Sequence, residues 1–233
     1  MGPEEKIAGI LGGMGPEATT DLMQRIIRLT PALDDIDHIR CIVDNNPKVP
    51  SRIKAIIEGT GEDPGPVMAD MGRRLAAFGA DFLAIACNTA HFYHGAVQAA
   101  VDIPVLHMVE LVTRHIWDTY HQTDTVGILA SPAVAITGLY EKAFEPFGLR
   151  ALWPEPEYQD LLLDVIKTVK KGNTGPDVRQ NYKKVAQTLA AQGASVAVVA
   201  CTELSALGER LSIDTVDAAE VLAAEIVRFA KNR

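Results

Sequence analysis

The feature that most restricts this chain is a unit that it carries twice. Leu75-Ala76-Ala77-Phe78-Gly79-Ala80 leads into the apolar run Asp81-Phe82-Leu83-Ala84-Ile85 and then into Ala86-Cys87-Asn88-Thr89-Ala90-His91. Further on, Leu189-Ala190-Ala191-Gln192-Gly193-Ala194 leads into Ser195-Val196-Ala197-Val198-Val199 and then Ala200-Cys201-Thr202-Glu203-Leu204. Each apolar run is too short for a helix and too apolar for a strand with one wet face. It reads as a buried strand of a parallel sheet. The glycine before each run is the residue that closes a helix. A helix–Gly–strand–Cys unit used twice calls for a repeated α/β architecture with two thiols in equivalent places.

The rest of the chain repeats in step. Ile7-Ala8-Gly9-Ile10-Leu11 has its echo in Thr125-Val126-Gly127-Ile128-Leu129, and Ile39-Arg40-Cys41-Ile42-Val43 in Leu149-Arg150-Ala151-Leu152. Helices are predicted over 16–29, 66–78, 160–171, 176–191 and 218–231, from apolar spacing and from Pro and Gly at their ends. The fold class is therefore α/β, with two pseudo-symmetric domains, each a parallel β-sheet flanked by helices. The domains are expected at 1–104 plus 212–233 and at 105–211, facing each other across a cleft that holds the active site.

Apolar residues make up 48% of the 233, enough for buried cores, and the net charge of −8 argues against a nucleic-acid partner. There is no run of 18 apolar residues to span a membrane. The leading segment, Met1 to Lys6, is polar and acidic and does not read as a signal peptide. Three widely spaced cysteines give neither a disulfide framework nor a CxxC metal pair, so the expected compartment is the reducing cytoplasm.

Several motifs have more than one reading. Gly13-x-Gly15-x-x-Ala18 loosely fits a dinucleotide fingerprint, but no acidic residue stands clearly at the expected distance. Arg52 follows the second strand, at the sheet end where α/β proteins bind ligands. There it could grip a carboxylate bidentately, although a lone Arg is more often a solvated surface residue. His91 and His94 are one helical turn apart, as metal ligands can be. With no third ligand placed beside them, capping, packing or exposure is the commoner explanation. His107 either lines the cleft or is a satisfied core histidine, and Cys41 reads as structural.

Two equivalent thiols narrow the chemistry. Cys87 and Cys201 both sit where a strand gives way to a helix, and a helix N-terminus lowers a thiol pKa from about 8.5. On local pattern alone either could be a core cysteine; the duplication argues otherwise. A nucleophile needs a base beside one Cys, and a metal site needs clustered ligands. A disulfide needs contact between the sulfurs, which a ligand between opposed domains would prevent. Two equivalent acid–base groups suit a reaction that takes a proton from one face of a carbon and returns one to the other. That reaction is racemisation or epimerisation.

Gly9-Ile10-Leu11-Gly12-Gly13-Met14-Gly15-Pro16-Glu17-Ala18-Thr19, Asn46-Pro47-Lys48-Val49-Pro50-Ser51-Arg52 and the two cysteine motifs resemble the aspartate/glutamate racemase family over essentially the whole chain. The resemblance implies a PLP-independent, cofactor-free amino-acid racemase of the cytoplasm, acting as a homodimer on an acidic amino acid, first of all aspartate. It implies Cys87 and Cys201 as the two catalytic bases and no metal. It also implies a substrate-binding set of Met14, Arg52, Asn88, Thr89, Ser131, Lys170, Thr202 and Glu203. Lys170 fits a Val-Lys-x-Gly-Asn segment typical of the family, with Lys171 one residue away. Two departures bear on substrate choice: Ser51 stands where the family commonly has an acidic residue, and Ala130-Ser131-Pro132-Ala133 replaces a Thr-rich turn of some members. The alternatives are a related racemase or isomerase for glutamate, hydantoins, neutral amino acids or another small carboxylate, and a redox or ligand-binding protein of the same fold.

Overall fold

The computed structural model describes residues 5–232; residues 1–4, part of the leading segment read above, lie outside it. The chain runs β1 (Ala8–Gly12), α1 (Pro16–Leu29), β2 (Cys41–Asn45), α2 (Gly65–Ala77), β3 (Phe82–Ile85), α3 (His94–Gln98), β4 (Val105–Leu106) and α4 (Met108–Thr119). It continues with β5 (Thr125–Leu129), α5 (Pro132–Thr137), α6 (Leu139–Phe144), β6 (Arg150–Leu152), α7 (Pro156–Lys170) and α8 (Pro176–Ala191). It closes with β7 (Val196–Val199), α9 (Thr202–Ser205), β8 (Asp214–Asp217) and α10 (Ala218–Ala230).

These elements form two four-stranded sheets, ordered β2-β1-β3-β4 and β6-β5-β7-β8, with every pairing parallel. The second order is the first repeated. Two compact units follow, one up to Leu111 together with the chain from Ala219 on, the other Val112–Ala218. Both divisions fall later in the chain than 104/105 and 211/212. The reason is pairing: β4 adds to β3 and stays with the first sheet, and β8 adds to β7 and stays with the second.

The first sheet holds its central strands dry. Every residue of β1 and β3 is buried, as continuous apolar runs require. One face packs against Met68, Met71 and Leu75 of α2, which join Leu11, Leu83 and Ile85 in one apolar cluster. Each such side chain contributes about 1.5–3 kcal/mol by leaving water. The closing helix α10 belongs to this unit: Phe229 meets Phe82 with ring centroids 4.7 Å apart, and Glu220 pairs with Arg25 and Arg28 of α1. The edge strand β2 begins at Cys41 rather than Ile39, because its register runs from Ala8↔Cys41 to Gly12↔Asn45 and so carries it to the end of β1.

In the second unit β7 is wholly buried, and β5 is buried after Thr125. Leu162, Val165, Ile166 and Val169 of α7 and Val185 and Leu189 of α8 pack with Leu129, Ala197 and Val199. The repeat extends to hydrogen bonds. Gly79 and Gly193 both have φ of 100°, and Ala80 N–H and Ala194 N–H both donate to the leucine carbonyl at the matching helix end, each at 3.1 Å. Only glycine takes that φ cheaply, so the two glycines set where each Cys strand begins.

Candidate active site

Both cysteines lie two residues past the end of a central strand. Leu11↔Ile85 closes the β1–β3 register and Leu129↔Val199 the β5–β7 register. Just beyond, Ala86 N–H donates to Leu11 O at 3.0 Å, and Ala200 N–H to Leu129 O at 2.9 Å. The same backbone therefore delivers Cys87 beside the Gly12-Gly13 turn and Cys201 beside Ala130-Ser131. Both thiols are free and half-buried.

The Gly12-Gly13 turn is folded for protein contacts. Gly13 has φ of 86°, and a Cβ there would run into the backbone of Asn46. Its N–H donates to Thr19 Oγ1 at 2.9 Å, so the amide that a dinucleotide phosphate would need is already spent. Met14 is 4% exposed and packs with Leu11 and Val49 in the apolar cluster, so any substrate contact from this position would come from its main chain.

Around Cys87 the chain makes a tight turn, with Cys87 N–H donating to Ile85 O at 2.9 Å. The helix expected to open at Asn88-Thr89 is instead a 3-10 turn, Thr89–Tyr93, ahead of the five-residue α3. Asn88 is buried and Thr89 half-buried. His91 is 2% exposed and sits between two main-chain groups. Met108 N–H donates to its Nε2 at 3.0 Å, so the ring proton is on Nδ1, which donates to Cys87 O at 2.8 Å. Burial, then the nearby His107, hold its pKa down at about 3. Arg52 is half-buried, with one guanidinium nitrogen on Pro50 O at 2.9 Å and Val49 O at 3.3 Å. Burial, then the charge of Asp63, raise the Tyr93 hydroxyl pKa, and the charge of Arg52 opposes them.

Cys201 has different company. It is the N-cap of the four-residue α9, and its carbonyl accepts from Leu204 N–H and Ser205 N–H. Its Sγ donates to Glu203 Oε2 at 3.0 Å, and Thr202 Oγ1 lies 3.4 Å from the same oxygen. Lys170 Nζ is 3.4 Å from Glu203 Oε1, so Lys170 pairs with the residue that touches the thiol. The depressed pKa expected of a helix N-terminus is overturned here. Burial, then the charge of Glu203 and its hydrogen bond to the thiol, push Cys201 well above the usual thiol range, with Lys170 opposing. One helical turn carries too small a dipole to outweigh them. Ser131, 8% exposed, is the N-cap of α5 on the neighbouring strand turn. Cys41 stands apart in the edge strand, its thiol pushed up to about 11 by burial and Glu5. Among the described residues no group of three or more His, Cys, Asp or Glu is placed to hold a metal ion, and no helix is long and apolar enough to cross a membrane.

Residues 11–226 match the family described as Asp/Glu/hydantoin racemase. The chain belongs to that family. By that membership it is an isomerase of the amino-acid racemase type. It is 27% identical over 228 residues to the broad specificity amino-acid racemase RacX of Bacillus subtilis (strain 168), covering 94% of this chain and 96% of that protein. The aspartate racemase of Picrophilus torridus matches it with a TM-score of 0.84 at 28% identity, over 97% of this chain and 94% of its own. Glutamate racemase RacE1 from Bacillus anthracis shares the fold, with a TM-score of 0.67 and 21% identity over 95% of this chain and 80% of its own. In this racemase, sequence reasoning placed Glu203 against substrate and missed its contact with Cys201. It also left His91 without a partner. The only signal for the first was the spacing Cys-x-Glu; for the second there was none, since Met108 belongs to the next βα segment.

Proposed function

We propose that this chain interconverts the L- and D-forms of an acidic amino acid, aspartate in the first place, by passing the α-proton between the thiols of Cys87 and Cys201 without PLP or another cofactor. The observation that carries the reading is the matched delivery of two free thiols, each two residues past a central strand and each fixed by the same Ala N–H to Leu O bond. Deprotonation of an α-carbon flanked by a carboxylate builds up negative charge, and N–H groups and hydroxyls placed for that charge lower the barrier. The turns at Asn88-Thr89 and Thr202 supply such groups. Arg52 and Lys170 supply positive charge for the substrate's carboxylates.

Cys201 and Glu203 work as a proton-sharing pair. In the resting enzyme the thiol holds the proton and points it at the carboxylate. Cys201 is then ready to donate, and Cys87 takes the α-proton as thiolate. In the reverse direction the roles exchange: Cys201, left as thiolate by the forward step, takes the α-proton and Cys87, now the thiol, donates, with Lys170 offsetting the negative charge that Cys201 and Glu203 then share. The thiols must reach one α-carbon from opposite faces; a homodimer in the cytoplasm is the assembly that the family resemblance, not the mechanism, leads one to expect.

A second reading, a racemase tolerant of neutral side chains, is favoured by the likeness to RacX over 94% of the chain and by Ser51 standing before Arg52. One experiment separates the two. Proton NMR of L-aspartate, L-glutamate and neutral amino acids in D₂O with the enzyme reports loss of the α-proton signal, and chiral chromatography of the same samples reports racemisation. Aspartate racemising fastest supports the proposal. Equal turnover of alanine or serine supports the broad reading, and no exchange on any amino acid overturns both.

A further inference from the structure

We propose that His91 is a positioning residue for Cys87, a neutral bridge that ties the carbonyl of the catalytic cysteine to the first amide of α4. The site reading above assigns His91 nothing, and the inference rests on that reading only in taking Cys87 as the acid–base thiol.

The geometry allows one arrangement of protons. A main-chain amide can only donate, so the 3.0 Å contact from Met108 N makes His91 Nε2 an acceptor. A neutral imidazole then carries its proton on Nδ1 and donates it to Cys87 O at 2.8 Å. Both partners are main chain, so the bridge joins two backbone segments. One is the turn after β3; the other is the start of α4, where His107 O accepts from Leu111 N–H. His91 also returns to its own turn through its N–H on Asn88 O at 3.0 Å.

Its surroundings keep the ring in this form. His94 Nε2 lies 2.9 Å from Val105 O, and Glu110 N–H donates to His107 Nδ1 at 3.4 Å, so both neighbouring imidazoles are committed to main chain. The ring of His107 is 5.1 Å and that of His94 6.2 Å from that of His91, and a positive charge on any of the three would be felt by the others. Burial supports the neutral form, since a charged imidazole there would have one acceptor and one opposing donor.

The consequence for Cys87 follows from peptide planarity. The C=O of Cys87 and the N–H of Asn88 belong to one planar unit and point in opposite directions. Holding the carbonyl on His91 therefore fixes the plane of the peptide that follows the thiol and, with Cys87 N–H on Ile85 O, holds the residue on both sides. Cys201 needs no such bridge, because its carbonyl is held by the first turn of α9. A base displaced by about 1 Å can lose ~100-fold in rate, so an effect on turnover rather than on affinity is expected.

The test separates the two bonds. Asn at 91 places an amide N–H where Nδ1 stands and keeps the link to Cys87, Gln places a carbonyl where Nε2 stands and keeps the link to Met108, and Phe keeps neither. His91→Asn, His91→Gln and His91→Phe are compared for kcat and KM in aspartate racemisation, and for thermal unfolding. Peptide-resolved iodoacetamide alkylation across pH then reads each cysteine separately, Cys201 serving as the internal control. The expected result is a kcat lowered ~10-fold or more in His91→Phe and His91→Gln with KM little changed, a shifted alkylation profile at Cys87 alone, and recovery of most of both in His91→Asn. The proposal is overturned if a folded His91→Gln keeps the Cys87 profile and kcat of the wild type. It is equally overturned if Asn recovers no more than Gln at equal stability, or if Cys201 shifts as much as Cys87. Racemisation surviving in Cys87→Ser would instead sink the two-thiol reading, and the alkylation profiles would still decide the bridge.

Discussion

At Cys201 a carboxylate oxygen lies 3.0 Å from the sulfur and an ammonium 3.4 Å from the other carboxylate oxygen, so the thiol's proton is governed by a charge pair. Removing the negative charge while keeping the shape should release it. In Glu203→Gln the thiol pKa falls, because the charge of Glu203 that raises it is gone and Lys170 remains. Alkylation of Cys201 should then begin at lower pH than in the wild type, while Cys87 keeps its profile; an unmoved Cys201 profile would show that Glu203 does not hold the proton. Arg52 makes the complementary case. A charge-assisted contact to a substrate carboxylate is worth about 1.5–3 kcal/mol, so Arg52→Ala should lower kcat/KM for aspartate by roughly 10- to 100-fold. Arg52→Lys should recover only part, since a point charge lacks the planar fork. Steady-state rates on aspartate and alanine side by side check this: losses of the same size on both would remove Arg52 from side-chain recognition.

Among the elements, what could be read in advance and what could not divide along physical lines. β1, β3 and β7 were legible because they are buried on both faces and carry unbroken apolar runs. The edge strand β2, half exposed, has no such run, and its register on β1 moves it two residues from where the apolar pattern put it. β4 and β8 are short, and the sheet each joins is decided by pairing across the fold, which moved both unit boundaries. Motif spacing located the two cysteine turns, yet the helices there are a single turn or 3-10, so a pKa argument drawn from helix dipoles failed at Cys201. The His91 bridge spans from the turn after β3 to the start of α4, and only tertiary structure brings Met108 to it. It leaves a mark on stability. His91 has a folded pKa of about 3 against 6.5 for a free imidazole, so the unfolded chain binds the extra proton. Its contribution is complete above about pH 6.5 and is lost as pH falls from there toward 3. His107, lowered by burial and by His94, acts with the same sign. Denaturant unfolding of the wild type should weaken on acidification across this window, and His91→Gln should show a flatter dependence there. A slope identical in both proteins would mean that His91 does not take up a proton on unfolding.

For the whole molecule the duplicated sheet order poses a sharper question, whether two copies of one backbone device do one job or two. The two thiols share their delivery but not their neighbours: Cys87 has its carbonyl held by His91, and Cys201 has its proton held by Glu203. In a two-base reaction each thiol is base for one enantiomer and acid for the other, so both are needed for net inversion. Cys87→Ser and Cys201→Ser should each abolish racemisation, because a serine hydroxyl neither gives nor takes a proton readily at neutral pH. The losses should not add in the double variant, since the two residues act as one unit. Each single variant still holds one working thiol, which exchanges the α-proton of one enantiomer with D₂O and returns it without inversion. The two variants should therefore wash deuterium into opposite enantiomers of aspartate, followed by proton NMR on separately supplied L- and D-substrate. The neighbours break this symmetry at Cys201. Exchange by Cys201 in Cys87→Ser should quicken at neutral pH when Glu203→Gln is added, because burial and then the charge of Glu203 keep the proton on its sulfur. If both single variants exchanged the same enantiomer, or either racemised near the wild-type rate, the repeated architecture would be serving a single catalytic thiol.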